Sequence, residues 1–177
     1  MSVDNVTGRA DIAVANAAHA AAAAPPMLDE SVLADSAQVL AALPRRISAI
    51  PALNATRYPQ ATALREGDSH FSFGELSQAA IDVATKLATA GVRPGDRVLI
   101  VGENCAALVA LLFGVARLDA WAVIVNARLT PPEIDAIKDH CSPRRSVYLT
   151  NVSPDAAQHA RRHAAVEHLS IAAMGIA

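Results

Sequence analysis

Apolar positions recur along this chain with two different periods, and their alternation sets the expected architecture. Leu76, Ala79, Ala80, Val83, Leu87 and Ala90 fall three and four residues apart, the spacing of one helical face. Gly91 follows, and a glycine there predicts a left-handed helix stop. Arg97 to Val101, Trp121 to Val125 and Ser146 to Leu149 are instead short apolar runs. Runs of that length predict strands buried on both faces of a parallel sheet. Asn104 is expected to cap a helix reaching about Arg117. Thr130, then Pro131, Pro132 and Glu133, predicts a second helix opened by a capping box. Ser153 with Pro154 opens a third, and His168 to Ala172 is expected as a last strand.

Upstream, Ala61 to Arg65 and His70 to Phe73 predict two strands joined across Glu66-Gly67-Asp68-Ser69. Gly67 and Asp68 both tolerate positive φ, which favours a hairpin. Strands alternating with helices predict right-handed β-α-β crossovers. The expected fold is therefore α/β, a mainly parallel sheet with an N-terminal hairpin. Residues 1–40 are expected to be a flexible Ala-rich leader, with one loose helix around 28–42 and no function.

Composition narrows the function classes. Hydrophobic residues make up 53% of the 177, charged residues 18% and aromatics 3%, so the core is expected to be aliphatic. A net charge of −2 gives no general attraction to nucleic acid or to an anionic membrane surface, and neither is expected as a partner. The pairs Arg144-Arg145 and Arg161-Arg162 are expected to be ordinary surface. Cys105 and Cys141 show no C-x-x-C spacing, the usage of a reduced cytoplasmic protein. The run Cys105 to Ala116 is shorter than the roughly 20 residues a bilayer requires, and predicts a buried helix. Residues 12–24 are Ala-rich, but Asp4, Asp11, Asn16 and His19 deprive them of a signal peptide's basic start and apolar core.

Chemistry is sparse. Neither G-x-G-x-x-G nor G-x-x-x-x-G-K-[ST] occurs, and Gly102-Glu103-Asn104 after the first buried strand offers one glycine, too few for a pyrophosphate cradle. Ser69 sits in half of a G-x-S-x-G elbow, between two strands rather than before a helix, which favours an ordinary hairpin over a nucleophile. His159 and His163 lie one helical turn apart, followed by Glu167-His168; the spacing misses the H-x-x-E-H zinc pattern and favours a solvated face. His140-Cys141 fits a helix end, where histidine suits the negative dipole terminus. Glu75 and Asp82 are expected on a solvated helix side. No residue is assigned a catalytic, cofactor-binding or metal-binding role.

The order of segments says more. Arg57-Tyr58-Pro59-Gln60, then Phe71-Ser72-Phe73-Gly74-Glu75-Leu76, then residues 91–98, then Gly102-Glu103-Asn104, then residues 117–129 resembles the adenylate-forming ligase superfamily. That family includes acyl-CoA and aryl-CoA synthetases, luciferases and the adenylation domains of peptide synthetases. Phe71, Ser72, Phe73, Glu75 and Leu76 look like its leucine–threonine–tyrosine–x–glutamate–leucine motif. Residues 117–129 look like its alanine–glycine–alanine…proline–leucine/valine–asparagine motif, with Asp119 at the usual glycine and Ile124 at the usual proline. The last block looks nearest to small- and medium-chain or aromatic acid:CoA ligases of bacteria.

The resemblance implies that residues 41–177 are part of the N-terminal domain of a ligase that activates a carboxylic acid with ATP and magnesium and passes the acyl group to CoA. The family's phosphate loop, metal-binding threonine–glutamate motif, ribose-binding aspartate and C-terminal lysine match no position here. The chain is therefore expected to bind no cofactor and to be inactive alone, and its uncovered sheet implies self-association. The alternatives are a stand-alone α/β binding module built on the ligase scaffold and, remotely, a hydrolase using Ser69.

Overall fold

The computed structural model describes residues 36–165 together with Leu169, Ile171 and Met174. The chain divides between Leu43 and Pro44 into two units. In the first, the described residues form one short helix, α1 (Ser36–Ala42). The rest of the expected leader lies outside the described residues.

The second unit opens with a 3-10 turn (Ile47–Ala49) that runs into α2 (Ile50–Arg57). Strands β1 (Thr62–Glu66) and β2 (Ser69–Ser72) then pair antiparallel, one residue displaced from the sequence expectation. Gly67 alone takes a positive φ, of 55°; Asp68 does not, so one left-handed residue suffices for this turn. Ser69 opens β2 directly after the turn.

Helix α3 (Phe73–Thr89) begins on a device the hydrophobic pattern did not expose. The Ser72 hydroxyl accepts from the Glu75 N–H at 3.2 Å, and the Glu75 carboxylate accepts from the Ser72 N–H at 2.7 Å. Two N-terminal amides that a helix leaves without carbonyl partners are thereby satisfied. Leu76, Ala79, Ala80, Val83 and Leu87 are buried as expected, joined by Ala84; Ala90 is half-buried. Gly91, at φ 90°, ends the helix: its N–H donates to Ala88 and the Val92 N–H to Leu87, with Val92 and Leu87 packed in the same core.

A turn closed by the Asp96 N–H on the Arg93 carbonyl leads into β3 (Arg97–Gly102). Then follow α4 (Ala106–Arg117), β4 (Trp121–Asn126), α5 (Pro131–Cys141), β5 (Arg145–Tyr148) and α6 (Pro154–Arg162). The sheet order is β4-β3-β5, all parallel, with Leu99 between Val123 and Ser146 and Ile100 between Ile124 and Val147. Val98 and Ile100 face α3 and α4; Leu99 and Val101 face Ile134 of α5 and Ala156 of α6. Helices thus cover both faces of β3, which is what its unbroken apolar run requires. Among the described residues no helix is long and apolar enough to cross a membrane.

Two expectations are corrected, and a third lies mostly beyond the described residues. Asn104 does not cap α4: Cys105 holds the N-cap position without a side-chain bond, and the carboxylate of Glu66 accepts from the Ala106 N–H at 2.6 Å instead. β4 is only partly buried, for among the described residues nothing pairs with its outer edge; Val125 lies in the core, but Trp121 is 68% and Ile124 49% exposed. The expected last strand falls mostly outside the described residues; within it Ile171 forms a single bridge.

Three described helices end on non-glycine residues in left-handed conformation, among them α5 at Ser142 (φ 43°). Asp119 (φ 56°) follows α4, with the Asp119 N–H on Ala116 and the Ala120 N–H on Val115. Ala164 (φ 51°) follows α6 in the same pattern, through Ala165 to Ala160. A side chain costs about 1–2 kcal/mol there, more than glycine's extra chain entropy. Ala164→Gly is therefore expected to raise stability by roughly 0.5–1 kcal/mol in urea unfolding. Asp119→Gly gains less, because it also removes the exposed Arg46–Asp119 ion pair at 2.6 Å.

Gly114 is where α3 and α4 come closest: a Cβ there would meet Val83 Cγ1 at 2.3 Å and Cβ at 2.6 Å. Gly114→Ala is expected to destabilise by about 1–3 kcal/mol, the usual range for overpacking a full core. A thermal melt unchanged from the parent chain would contradict that packing.

Candidate functional site at the carboxyl ends of the sheet

Open parallel sheets hold ligands beyond the carboxyl ends of their strands, so the chemistry is sought where β3, β4 and β5 finish. Three short loops meet there. Gly102-Glu103-Asn104 leaves β3, Asn126-Ala127-Arg128 leaves β4, and Leu149-Thr150-Asn151 leaves β5. The Ala127 N–H donates to the Gly102 carbonyl at 3.2 Å and the Leu149 N–H to the Val101 carbonyl at 2.9 Å, which prolongs the ladder into the loops. A Cβ on Gly102 would meet the Leu149 side chain at 2.5 Å, so the first and third loops are packed in contact.

Charge at this end is self-neutralised. Arg128 donates through Nε and Nη2 to the two Glu103 carboxylate oxygens, at 3.3 and 3.0 Å. That hydrogen bond and the carboxylate's field push the Arg128 pKa up from its already high value. The Asn126 side-chain oxygen accepts the Arg128 N–H at 2.9 Å. Guanidinium and carboxylate answer each other while the amide oxygen takes a backbone N–H, an arrangement that braces the loops.

His159 on α6 and His163 at its C-cap, one turn apart, do not share a solvated face. Ala156, His159 and Ala160 make the buried face of the helix, and His159 is 4% exposed. Its Nε2 lies 3.1 Å from the Ala127 carbonyl oxygen, which places the ring proton there as donor and ties α6 to the end of β4. Nδ1 is buried without a partner. His163 turns instead toward α5. The two rings thus serve different contacts, and among the described residues no group of three or more His, Cys, Asp or Glu could hold a metal ion. Glu167 and His168 lie outside the described residues.

The remaining candidates disperse. Glu75 is consumed in the α3 cap, and the cap's donors hold its carboxyl below the ordinary value. Asp82 accepts from Gln78 at 2.8 Å one turn away. His140 lies in the last turn of α5, as expected, and Cys141 is buried beside it. Arg144 is not idle surface: its Nε donates to the Gly91 carbonyl at 3.2 Å. A cavity of about 400 Å3 lies beside β5, bordered by apolar side chains such as Leu87, Leu111 and Ile171 and by polar ones, among them Lys86, Arg145, Thr150 and Asn151. The contacts that sequence reasoning missed, Glu66 to Ala106 and His159 to Ala127, span 40 and 32 residues, and no local pattern announces such pairs.

Residues 52–174 match the model of the AMP-binding enzyme family. Over 85 residues, 48% of this chain, the sequence is 41% identical to a feruloyl-CoA synthase of an Amycolatopsis species, of which it covers 17%. The fold is similar to the anthranilate CoA ligase AuaEII, solved with anthranoyl-AMP: TM-score 0.59, 29% identity, 69% of this chain and 24% of that one. It is likewise similar to the N-terminal domain of FACL13 from Mycobacterium tuberculosis, solved with an inhibitor: TM-score 0.61, 25% identity, 70% and 30% covered. The chain thus spans about a sixth of that curated relative's length.

The α5–α6 contact has a pH dependence of its own. Lys138 Nζ donates to His163 Nδ1 at 3.0 Å, and Nε2 faces Asp135 Oδ1 at 3.3 Å. The ring stacks on Tyr148 with centroids 5.9 Å apart. Burial first, and then the Lys138 ammonium, lower the His163 pKa below its ordinary 6.5, against the opposing pull of Asp135. The unfolded chain therefore takes up the proton before the folded one. Stability from a neutral His163 is complete above pH 6.5 and is lost as the pH falls through that value toward the lower folded one. Asp135 is held below its ordinary 3.8 by Arg162 and titrates outside this window. Melting temperature is expected to decline on acidification from about pH 7.5 to pH 5.5, and His163→Gln to flatten that decline.

Proposed function

We propose, for a chain that belongs to the AMP-binding enzyme family, that it is the N-terminal scaffold of an ATP-dependent carboxylic acid:CoA ligase. The whole enzyme would form an acyl-adenylate from a carboxylic acid, ATP and magnesium, then transfer the acyl group to the thiol of CoA. The observation that carries this reading is the match over residues 52–174, reinforced by the identity to a feruloyl-CoA synthase. That relative and the anthranilate ligase both act on aromatic acids by their names, so an aromatic acid is the substrate class we favour.

In this reading residues 41–177 are the ligase portion and residues 1–40 a leader without a part in the chemistry. No residue of the chain serves as catalyst, cofactor ligand or metal ligand. The Glu103–Arg128 pair, in which each charge answers the other between two loops, supports that division of labour. A cytoplasmic setting is supported by the free thiols Cys105 and Cys141.

The test is pyrophosphate exchange together with calorimetry. The 177-residue chain is expected to form no adenylate with any carboxylic acid and to bind no ATP at millimolar concentration. A longer product of the same reading frame, carrying the phosphate loop and the C-terminal lysine, is expected to recover exchange with an aromatic acid. Saturable magnesium-dependent ATP binding by the 177-residue chain would overturn the scaffold assignment, and Gly102 to Asn104 would be the first segment to mutate.

A further inference from the structure

Helix α6 is held by little apolar area. Its buried face consists of Ala156, His159 and Ala160, and the two alanines offer one methyl group each. The contacts that fix it are largely polar and lie at two points. Midway, His159 Nε2–H donates to the Ala127 carbonyl at 3.1 Å. At the C-terminal end Arg162 grips both carboxylate oxygens of Asp135, and His163 Nδ1 accepts from Lys138 Nζ at 3.0 Å. Elements with few buried apolar contacts open locally at lower cost than the core they cover.

The His163 contact accepts only the neutral ring. An ammonium donates and cannot accept, so Nδ1 is bare and the ring proton sits on Nε2, 3.3 Å from Asp135 Oδ1. A second proton would set Nδ1–H against the Lys138 ammonium and turn a hydrogen bond into a contact of like charges. The groups facing the ring are Lys138 and Asp135 of α5, Arg162 and His159 of α6, and the Tyr148 ring of β5, stacked at 5.9 Å. Arg162 Nη1 lies 3.4 Å from Nε2, a second cation beside the ring. Asp135 is the only carboxylate among these groups, and Arg162 already engages both of its oxygens. The His163 side chain is 13% exposed, so water does little to relieve an imidazolium there. Burial and the Lys138 ammonium hold its pKa below 6.5, whereas a ring freed from α5 titrates at that ordinary value.

We propose that α6 is a proton-operated strap: a proton taken up at His163 releases the helix from α5, and loss of the His159–Ala127 bond then loosens the loop Asn126-Ala127-Arg128 at the carboxyl end of β4. Ala127 is 1% exposed and its carbonyl has its donor in His159, 32 residues away. Withdrawing α6 leaves that carbonyl to water. The loop then keeps only short-range ties of its own, the Arg128 N–H on Asn126 Oδ1 at 2.9 Å and the Leu129 N–H on the Asn126 carbonyl at 3.2 Å. Because the freed ring binds the proton more readily than the packed one, opening is favoured as the pH falls through 6.5 toward the lower packed value. The strap belongs to the packing of α5, α6 and β4 and stands or falls independently of the ligase reading.

Amide hydrogen exchange on the full 177-residue chain tests this, run from about pH 7.5 to pH 5.5 with each rate corrected for the intrinsic pH dependence of exchange. Protection of the α6 amides and of Ala127, Arg128 and Leu129 is expected to fall by up to about tenfold, the ceiling for a freed group of pKa 6.5 one unit below that value. The β3 amides are expected to keep theirs. His163→Gln, neutral at every pH and with an amide oxygen to accept from Lys138, is expected to hold both segments constant. His159→Leu cuts the transmission: α6 is expected to keep its pH response and Ala127 to Leu129 to lose theirs. If the leucine variant does not fold, the parent chain and His163→Gln decide the matter between them. Protection that stays constant in the parent overturns the proposal, because Lys138 then merely swings aside. A fall in α6 without one at Ala127 to Leu129, a fall that His163→Gln shares, or a fall that β3 shares as the whole chain unfolds also overturns it.

Discussion

Val98 to Gly102 lie out of solvent in the middle of a three-stranded sheet, and the other elements follow from keeping them there. A strand with Val98 and Ile100 on one face and Leu99 and Val101 on the other cannot rest against a single layer. It demands α3 and α4 on one side and α5 and α6 on the other. Parallel neighbours require crossovers long enough to return to the same end, which α4 and α5 supply. The close contact of Gly114 with Val83 follows from the same demand, for two helices share one side of a narrow sheet.

The parts of this architecture that were legible in the sequence are those written in local period and local punctuation. The buried face of α3, the glycine stop at Gly91 and the start of α5 at Thr130 depend on neighbours within about five residues, and each appears where the pattern places it. Thr130 shows why: the Glu133 carboxylate that accepts its N–H, at 2.8 Å, is three residues away. The Ser72–Glu75 cap has the same three-residue spacing, and the segment Phe71 to Leu76 is in physical terms a helix start followed by a buried leucine.

What stayed hidden depends on sheet order. An unbroken apolar run describes Arg97 to Val101 and Trp121 to Val125 alike, yet one is central and the other lies at the edge. Period carries no information about how many neighbours a strand has. The histidines of α6 illustrate the same limit at the candidate site. Their spacing places both on a helix, but only the packed structure shows His159 against the end of β4 and His163 against α5. The loops at the carboxyl ends were located correctly from the strand boundaries, whereas the Glu103–Arg128 pairing within them had no sequence signal across 25 residues.

The bond from Glu66 to the start of α4 bears on how the chain reaches this state. Cys105 provides no cap of its own, so α4 begins with an amide whose carboxylate partner belongs to a hairpin 40 residues upstream. Starting a helix is its least favourable step, because several residues are fixed for a first bond. Here that step is assisted only once the β1–β2 hairpin has been laid against the helix. Closure of that long chain loop and the start of the first crossover helix are thereby coupled, so hairpin and helix lend stability to one another.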